Sequence, residues 1–188
     1  FYNITNTSPE LLWTTSKNDK LKFDNLHSFL WLTKLDRKNS KIITKDIIKS
    51  WINFFFNYEP NTWSMEITAR RIIAWSSNTD ITLENSDQKY RSDFFTSLVK
   101  QSNFLSKNLN ILSHEPSKII CCAAIILSGI IFKENDSNYN IGVKELEKII
   151  KNYFDKDGFP KSRNPEEVFI CIKYLILIRE WFKEAQKP

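Results

Sequence analysis

The sequence predicts an all-α chain, and three observations carry that prediction. Gly occurs 3 times and Pro 6 times in 188 residues, so few turns interrupt the chain and its elements must be long. From Asp24 onward, apolar residues recur at spacings of three and four. Only short polar stretches separate these runs, and helices joined by short loops become antiparallel neighbours, as in helical hairpins packed in sequence. With 41% hydrophobic and 14% aromatic residues, one domain with a real core is the default expectation.

Residues 1–23 are polar and read as an irregular segment, with Pro9 and a short extended piece around Leu21 to Phe23. The helical domain is expected over 24–188. Asp24 is an N-cap type, and Leu26, Phe29, Leu30, Leu32 and Leu35 follow at helical spacing to about Arg37. A second helix is predicted after Thr44, with Asp46 in its first turn and Ile47, Ile48, Trp51, Ile52, Phe54 and Phe55 behind it, ending before Pro60. Ser64 is the cap expected for a third helix from Met65 to about Ser76. After a polar loop, Ser86 and Asp87 open a long fourth helix carrying Tyr90, Phe94, Leu98, Leu105 and Leu109.

Pro116 sits where a first-turn proline belongs, ahead of an apolar fifth helix from Ser117 to Phe132 in which the core is expected to centre. The stretch 133–140 reads as a polar loop, and Val143, Leu146, Ile149, Ile150 and Phe154 line one face of a sixth helix. Asp157-Gly158 ends it. Asn164 as N-cap, Pro165 at the first helical position and Glu167 three residues after the cap, where it can reach back as in a capping box, start a seventh helix that runs to about Ala185. No exact internal repeat period is present.

Several functional classes find no footing. The formal charge of +5 mildly favours acidic partners, but no dense basic patch of the kind nucleic acid requires is visible, and the Lys144, Lys148, Lys151 row is interrupted by acids like any solvated helix face. No stretch reaches the roughly 18 apolar residues of a membrane span. The two histidines, His27 and His114, are far apart, the adjacent Cys121 and Cys122 lack a zinc-type partner pair, and no glycine-rich phosphate loop occurs, so neither metal nor cofactor is expected. Three cysteines are a poor disulfide framework, and Cys121, Cys122 and Cys171 read as buried free thiols. Asn3, Asn6 and Asn135 head glycosylation-type triplets of the sort that an Asn- and Ser-rich chain generates by chance. The chain begins at Phe1 and its only methionine is Met65, which reads as a fragment of a longer product.

Four segments, in order, resemble the helical domain of the heparinase II/III family of polysaccharide lyases, in its alphaproteobacterial-type branch. These are Leu26-His27-Ser28-Phe29-Leu30-Trp31-Leu32; Trp51-Ile52 followed by Trp63 and Thr68-Ala69-Arg70-Arg71-Ile72-Ile73-Ala74-Trp75; Ala123 to Phe132; and Asp157-Gly158-Phe159-Pro160-Lys161-Ser162-Arg163-Asn164-Pro165. Together they span residues 24 to 182. The resemblance implies an incomplete (α/α) toroid followed by a β-sandwich domain absent here, and cleavage of acidic, uronate-containing polysaccharides by β-elimination at a site between the two domains. It also suggests the periplasm or cell envelope. This sequence departs from the family where an Asn should precede the core helix, since Pro116 and Ser117 occupy that region, and where a Tyr should follow the Arg-Ser-Pro turn, since Glu166, Glu167 and Val168 stand there.

The site residues expected on this basis are His114, as a substrate-touching catalytic group, and Arg70, Arg71, Trp63 and Arg163, as contacts to an acidic glycan. Each has a plainer alternative. Arg70 and Arg71 point about 100° apart on a helix, so both can hardly be buried, and one can bind an anion while the other pairs structurally. Trp63 and Trp75 can stack on sugars or sit in the core, and Arg163 can meet a glycan carboxylate or pair with Glu166 or Glu167. A non-catalytic helical scaffold binding glycan or protein is the second functional reading, and an α-solenoid on nucleic acid, resting on charge alone, the third.

Overall fold

The structure, a computed structural model, describes residues 12–13, 19–132 and 136–187. The glycosylation-type triplets at Asn3 and Asn6, the Asn135 position itself, and most of the segment 1–23 lie outside the described residues. Among the described residues there are eight α-helices: α1 (Lys20–Ser28), α2 (Lys41–Phe55), α3 (Met65–Ser76), α4 (Thr79–Thr82), α5 (Gln88–Asn108), α6 (Glu115–Ile131), α7 (Asp136–Tyr153) and α8 (Pro165–Glu184). Two 3-10 helices, Leu30–Lys34 and Leu109–Ile111, accompany them, and the described residues contain no strand beyond one isolated bridge between Phe154 and Pro160. The all-α expectation is met. Among the described residues, no helix is long and apolar enough to cross a membrane.

Several boundaries differ from the sequence reading for identifiable reasons. The first helix starts at Lys20, capped by Asp19 rather than Asp24, so Leu21 to Phe23 are helical and not extended. It also stops early: Phe29 takes φ 57, a left-handed conformation, and the chain continues as the 3-10 turn. A bulky residue at positive φ is strained, and here full burial of Phe29 against Trp51 and Trp75 accompanies it. The second helix begins at Lys41, ahead of the expected start, and Ser64 makes no side-chain cap bond to α3. The one-turn α4 lies in the stretch read as a polar loop; its Thr82 hydroxyl donates to the Trp75 carbonyl at 3.2 Å and Ile81 is fully buried. Asp136 to Asn140, also read as loop, form the first turns of α7.

The chain divides into two compact units, one up to Val99 and one from Lys100. In the first, α1 packs on α3 and α2 on α4, around Phe29, Trp51, Trp75 and Phe94. Trp75 stacks on Phe94 at 5.3 Å and meets Trp51 edge-on at 5.5 Å. In the second unit α6 is central and packs on both α7 and α8. Its residues Ile119 to Leu127 are all buried, the three cysteines are buried and free, and the core centres on this helix as its apolar composition predicts. Two glycines set the close α6–α7 approach. A β-carbon added to Gly129 would lie 2.5 Å from the Tyr139 amide nitrogen, and one added to Gly142 2.7 Å from Ile126 Cγ1.

Candidate functional site

In the second unit a chain reversal brings the end of α7 to the start of α8. Gly158, at φ 81, supplies the left-handed turn that the Asp157-Gly158 pair predicts. The Asp155 carboxylate caps the turn by accepting from the amides of Asp157 and Phe159 at 2.9 and 3.0 Å. The Lys161 amide then bonds the Tyr153 carbonyl at 2.9 Å, so Tyr153 and the residues entering α8 lie side by side.

The result is a carboxylate with several partners. Tyr153 and Ser162 both donate hydroxyl hydrogens to Glu167 Oε2, while Oε1 lies 3.6 Å from His114 Nε2. His114 is the N-cap residue of α6, and its Nδ1 is 2.7 Å from Ser117 Oγ. Three helix ends thus converge on Glu167. The Ser162 and Tyr153 hydrogen bonds hold the Glu167 carboxyl below its ordinary range. Tyr153 shows the reverse: partial burial, then the neighbouring carboxylate, pushes its phenol up to about 12, so the shared proton stays on Tyr153. The expected capping box does not form. Asn164 Oδ1 accepts from the Glu166 amide at 3.0 Å as predicted, but the Asn164 amide donates to Ser162 Oγ and Glu167 turns to Tyr153 instead.

The other expected site residues separate. Arg163, at φ 55, is exposed and pairs with Asp155 at 2.5 Å, its guanidinium 5.5 Å from the Phe159 ring, and not with Glu166 or Glu167 as the sequence suggested. Trp63, Arg70 and Arg71 belong to the first unit. Trp63 is buried and donates to the Phe55 carbonyl at 2.8 Å, so its glycan-stacking assignment gives way to a core role. Arg71 is likewise fully buried and presents no face to a glycan. It donates to the carbonyls of His27 and Thr62 at 2.9 Å each and to Thr68 Oγ1 at 3.2 Å, and lies 3.9 Å over the Trp51 ring. Arg70 is half-buried and pairs with Glu66 at 2.7 Å. The two arginines therefore do occupy different environments, as their helical spacing requires.

Beside Arg71 lies a second buried titratable group. His27 is fully buried, 4.2 Å from the Phe23 ring and 5.1 Å from Phe55, and its Nδ1 accepts from Trp51 Nε1 at 3.1 Å. That bond assigns the ring proton to Nε2, which has no partner among the described residues. Burial first, and Arg71 second, push the His27 pKa down to about 3, so the ring is neutral.

Sequence reasoning singled out His114 but not Tyr153 and Ser162, which meet the same Glu167 carboxylate, and it gave Glu167 a capping role. A signal was available: Tyr153 and Glu167 flank the Asp157-Gly158 reversal, and a tight turn between two helices places the last turn of one beside the first turn of the next. No group of three or more His, Cys, Asp or Glu among the described residues could hold a metal ion. Compared with known proteins, the chain matches no family model, no curated protein and no solved structure.

Proposed function

We propose that this chain is the helical portion of a heparinase II/III-like polysaccharide lyase, an incomplete toroid that cradles a uronate-containing glycan for β-elimination. The observation that carries the reading is the convergence of His114, Tyr153 and Glu167 on one half-exposed surface of the second unit. β-Elimination needs a base for the proton next to the uronate carboxylate and an acid for the departing 4-linked oxygen. His114 has more than half of its side chain exposed, and in this reading its imidazole takes the base role. Tyr153 keeps its proton at neutral pH and is the group able to supply one.

Buried Arg71 and Trp63 hold the first unit together in this reading, and of the expected glycan contacts Arg70 is half-buried and Arg163 exposed. A non-catalytic, glycan-binding scaffold is the second reading. It is favoured by Pro116 and Ser117, both buried at the start of α6, where the family resemblance asks for a carboxylate-binding amide.

The test uses the full-length product, incubated with uronate polysaccharides while the ultraviolet band of the unsaturated sugar is followed. Growth of that band, abolished in His114→Ala and strongly reduced in Tyr153→Phe, is the expected result. Binding of the glycan without any unsaturated product would establish the scaffold reading instead.

A further inference from the structure

Helix α8 is apolar on two faces. Cys171, Tyr174 and Ile178 are buried inside the second unit, whereas Phe169, Ile172 and Ile176 are 80%, 52% and 48% exposed on the opposite side. The exposed residues stand at i, i+3 and i+7, the spacing of a coiled-coil seam. Glu166 and Lys173 each follow a seam position, Pro165 and Ile172, and so lie along the same flank of the seam, seven residues apart.

That pattern is self-complementary in one orientation. If two copies of α8 pair antiparallel about a two-fold axis between Phe169 and Ile172, each Phe169 meets the partner's Ile172, and each Ile176 meets the partner's Pro165. The same register puts each Glu166 beside the partner's Lys173, giving two opposite-charge contacts of the type that set partner choice in helix pairs. A two-fold axis makes each contact occur twice, and antiparallel alignment opposes the two helix dipoles. Among the described residues neither Lys173, whose ammonium lies 5.4 Å from the Tyr174 ring centroid, nor Glu166 shares an ion pair within 4.0 Å.

From the stripe and its flanking charges we infer that α8 is a homodimerisation surface, occupied by a second copy of this chain in antiparallel register. One helix pair is a small interface, so the dimer is weak and concentration-dependent. Sedimentation velocity on the full chain, from low micromolar to near-millimolar concentration, should show monomer passing to dimer. Phe169→Glu, on a side chain already exposed and so neutral for folding by circular dichroism, should weaken association by about a hundredfold because two Phe side chains are lost per dimer. Glu166→Lys should weaken it by about tenfold, and Glu166→Lys combined with Lys173→Glu should restore it. Mixing Phe169→Cys chains with Ile172→Cys chains should give a disulfide-linked pair faster than either variant alone. A chain that stays monomeric throughout, a dimer indifferent to Phe169→Glu, or a charge swap no better than the single reversal would each overturn the inference.

Discussion

Burial of His27 makes the first unit acid-sensitive in a pH range where few other groups titrate. Unfolded, the imidazole regains its ordinary value near 6.5, while in the fold it is held at about 3. Between those values the unfolded chain binds a proton that the folded chain refuses, so stability rises with pH across the window. The contribution is fully present above 6.5 and is lost as pH falls toward 3. Each pH unit below 6.5 removes about 1.4 kcal/mol, so moving from pH 7 to pH 5 costs roughly 2 kcal/mol from this residue alone. The chain has only 2 histidines, so a His114→Gln background leaves His27 as the single imidazole. Urea unfolding at half-unit pH steps, compared between that background and the same background with His27→Gln, isolates the term. The expected result is a steep loss of stability below pH 6.5 that flattens when His27 is replaced. Equal slopes in the two proteins, or a His27 ring that titrates near 6.5 by nuclear magnetic resonance in the native state, would refute the reasoning.

Three further outcomes follow from the packing. Arg71→Met keeps much of the side-chain volume but leaves the His27 and Thr62 carbonyls without their buried donor, so it should lower stability by about 3 kcal/mol, read from denaturant midpoints. Gly129→Ala drives a β-carbon into the Tyr139 backbone and should cost about 1–3 kcal/mol by forcing α6 and α7 apart, with Ser128→Ala as the neighbouring control. Cys121 and Cys122 are fully buried, and burial pushes the Cys122 and Cys171 thiols up to about 12 and about 11. An aromatic disulfide reagent at neutral pH should therefore find the three thiols unreactive in the native protein and all three reactive in denaturant.

The amino-acid sequence determined the class of this protein and the order of its long helices. Sparse Gly and Pro, 3.6-residue periodicity and local start signals act over a few residues, and local chemistry is enough to place α3, α5, α6 and α8 close to where they form. Asn164 capping α8 and Gly158 turning the chain before it are legible for the same reason. His114 could be singled out, but its surroundings could not, because Glu167 chooses between a local cap and Tyr153 only when α7 and α8 have been brought together.

Only the tertiary structure decided which polar residues are buried. Arg70 and Arg71 are equivalent in sequence, yet one faces Glu66 at the surface and the other fills the space between Trp51 and two backbone carbonyls. The left-handed break at Phe29 is likewise a long-range event, in which a locally unfavourable dihedral places a ring against Trp51 and Trp75. Local propensity differs by tenths of a kcal/mol between such alternatives, whereas burial of one aromatic side chain is worth about 2 kcal/mol, so contacts distant in sequence settle the outcome.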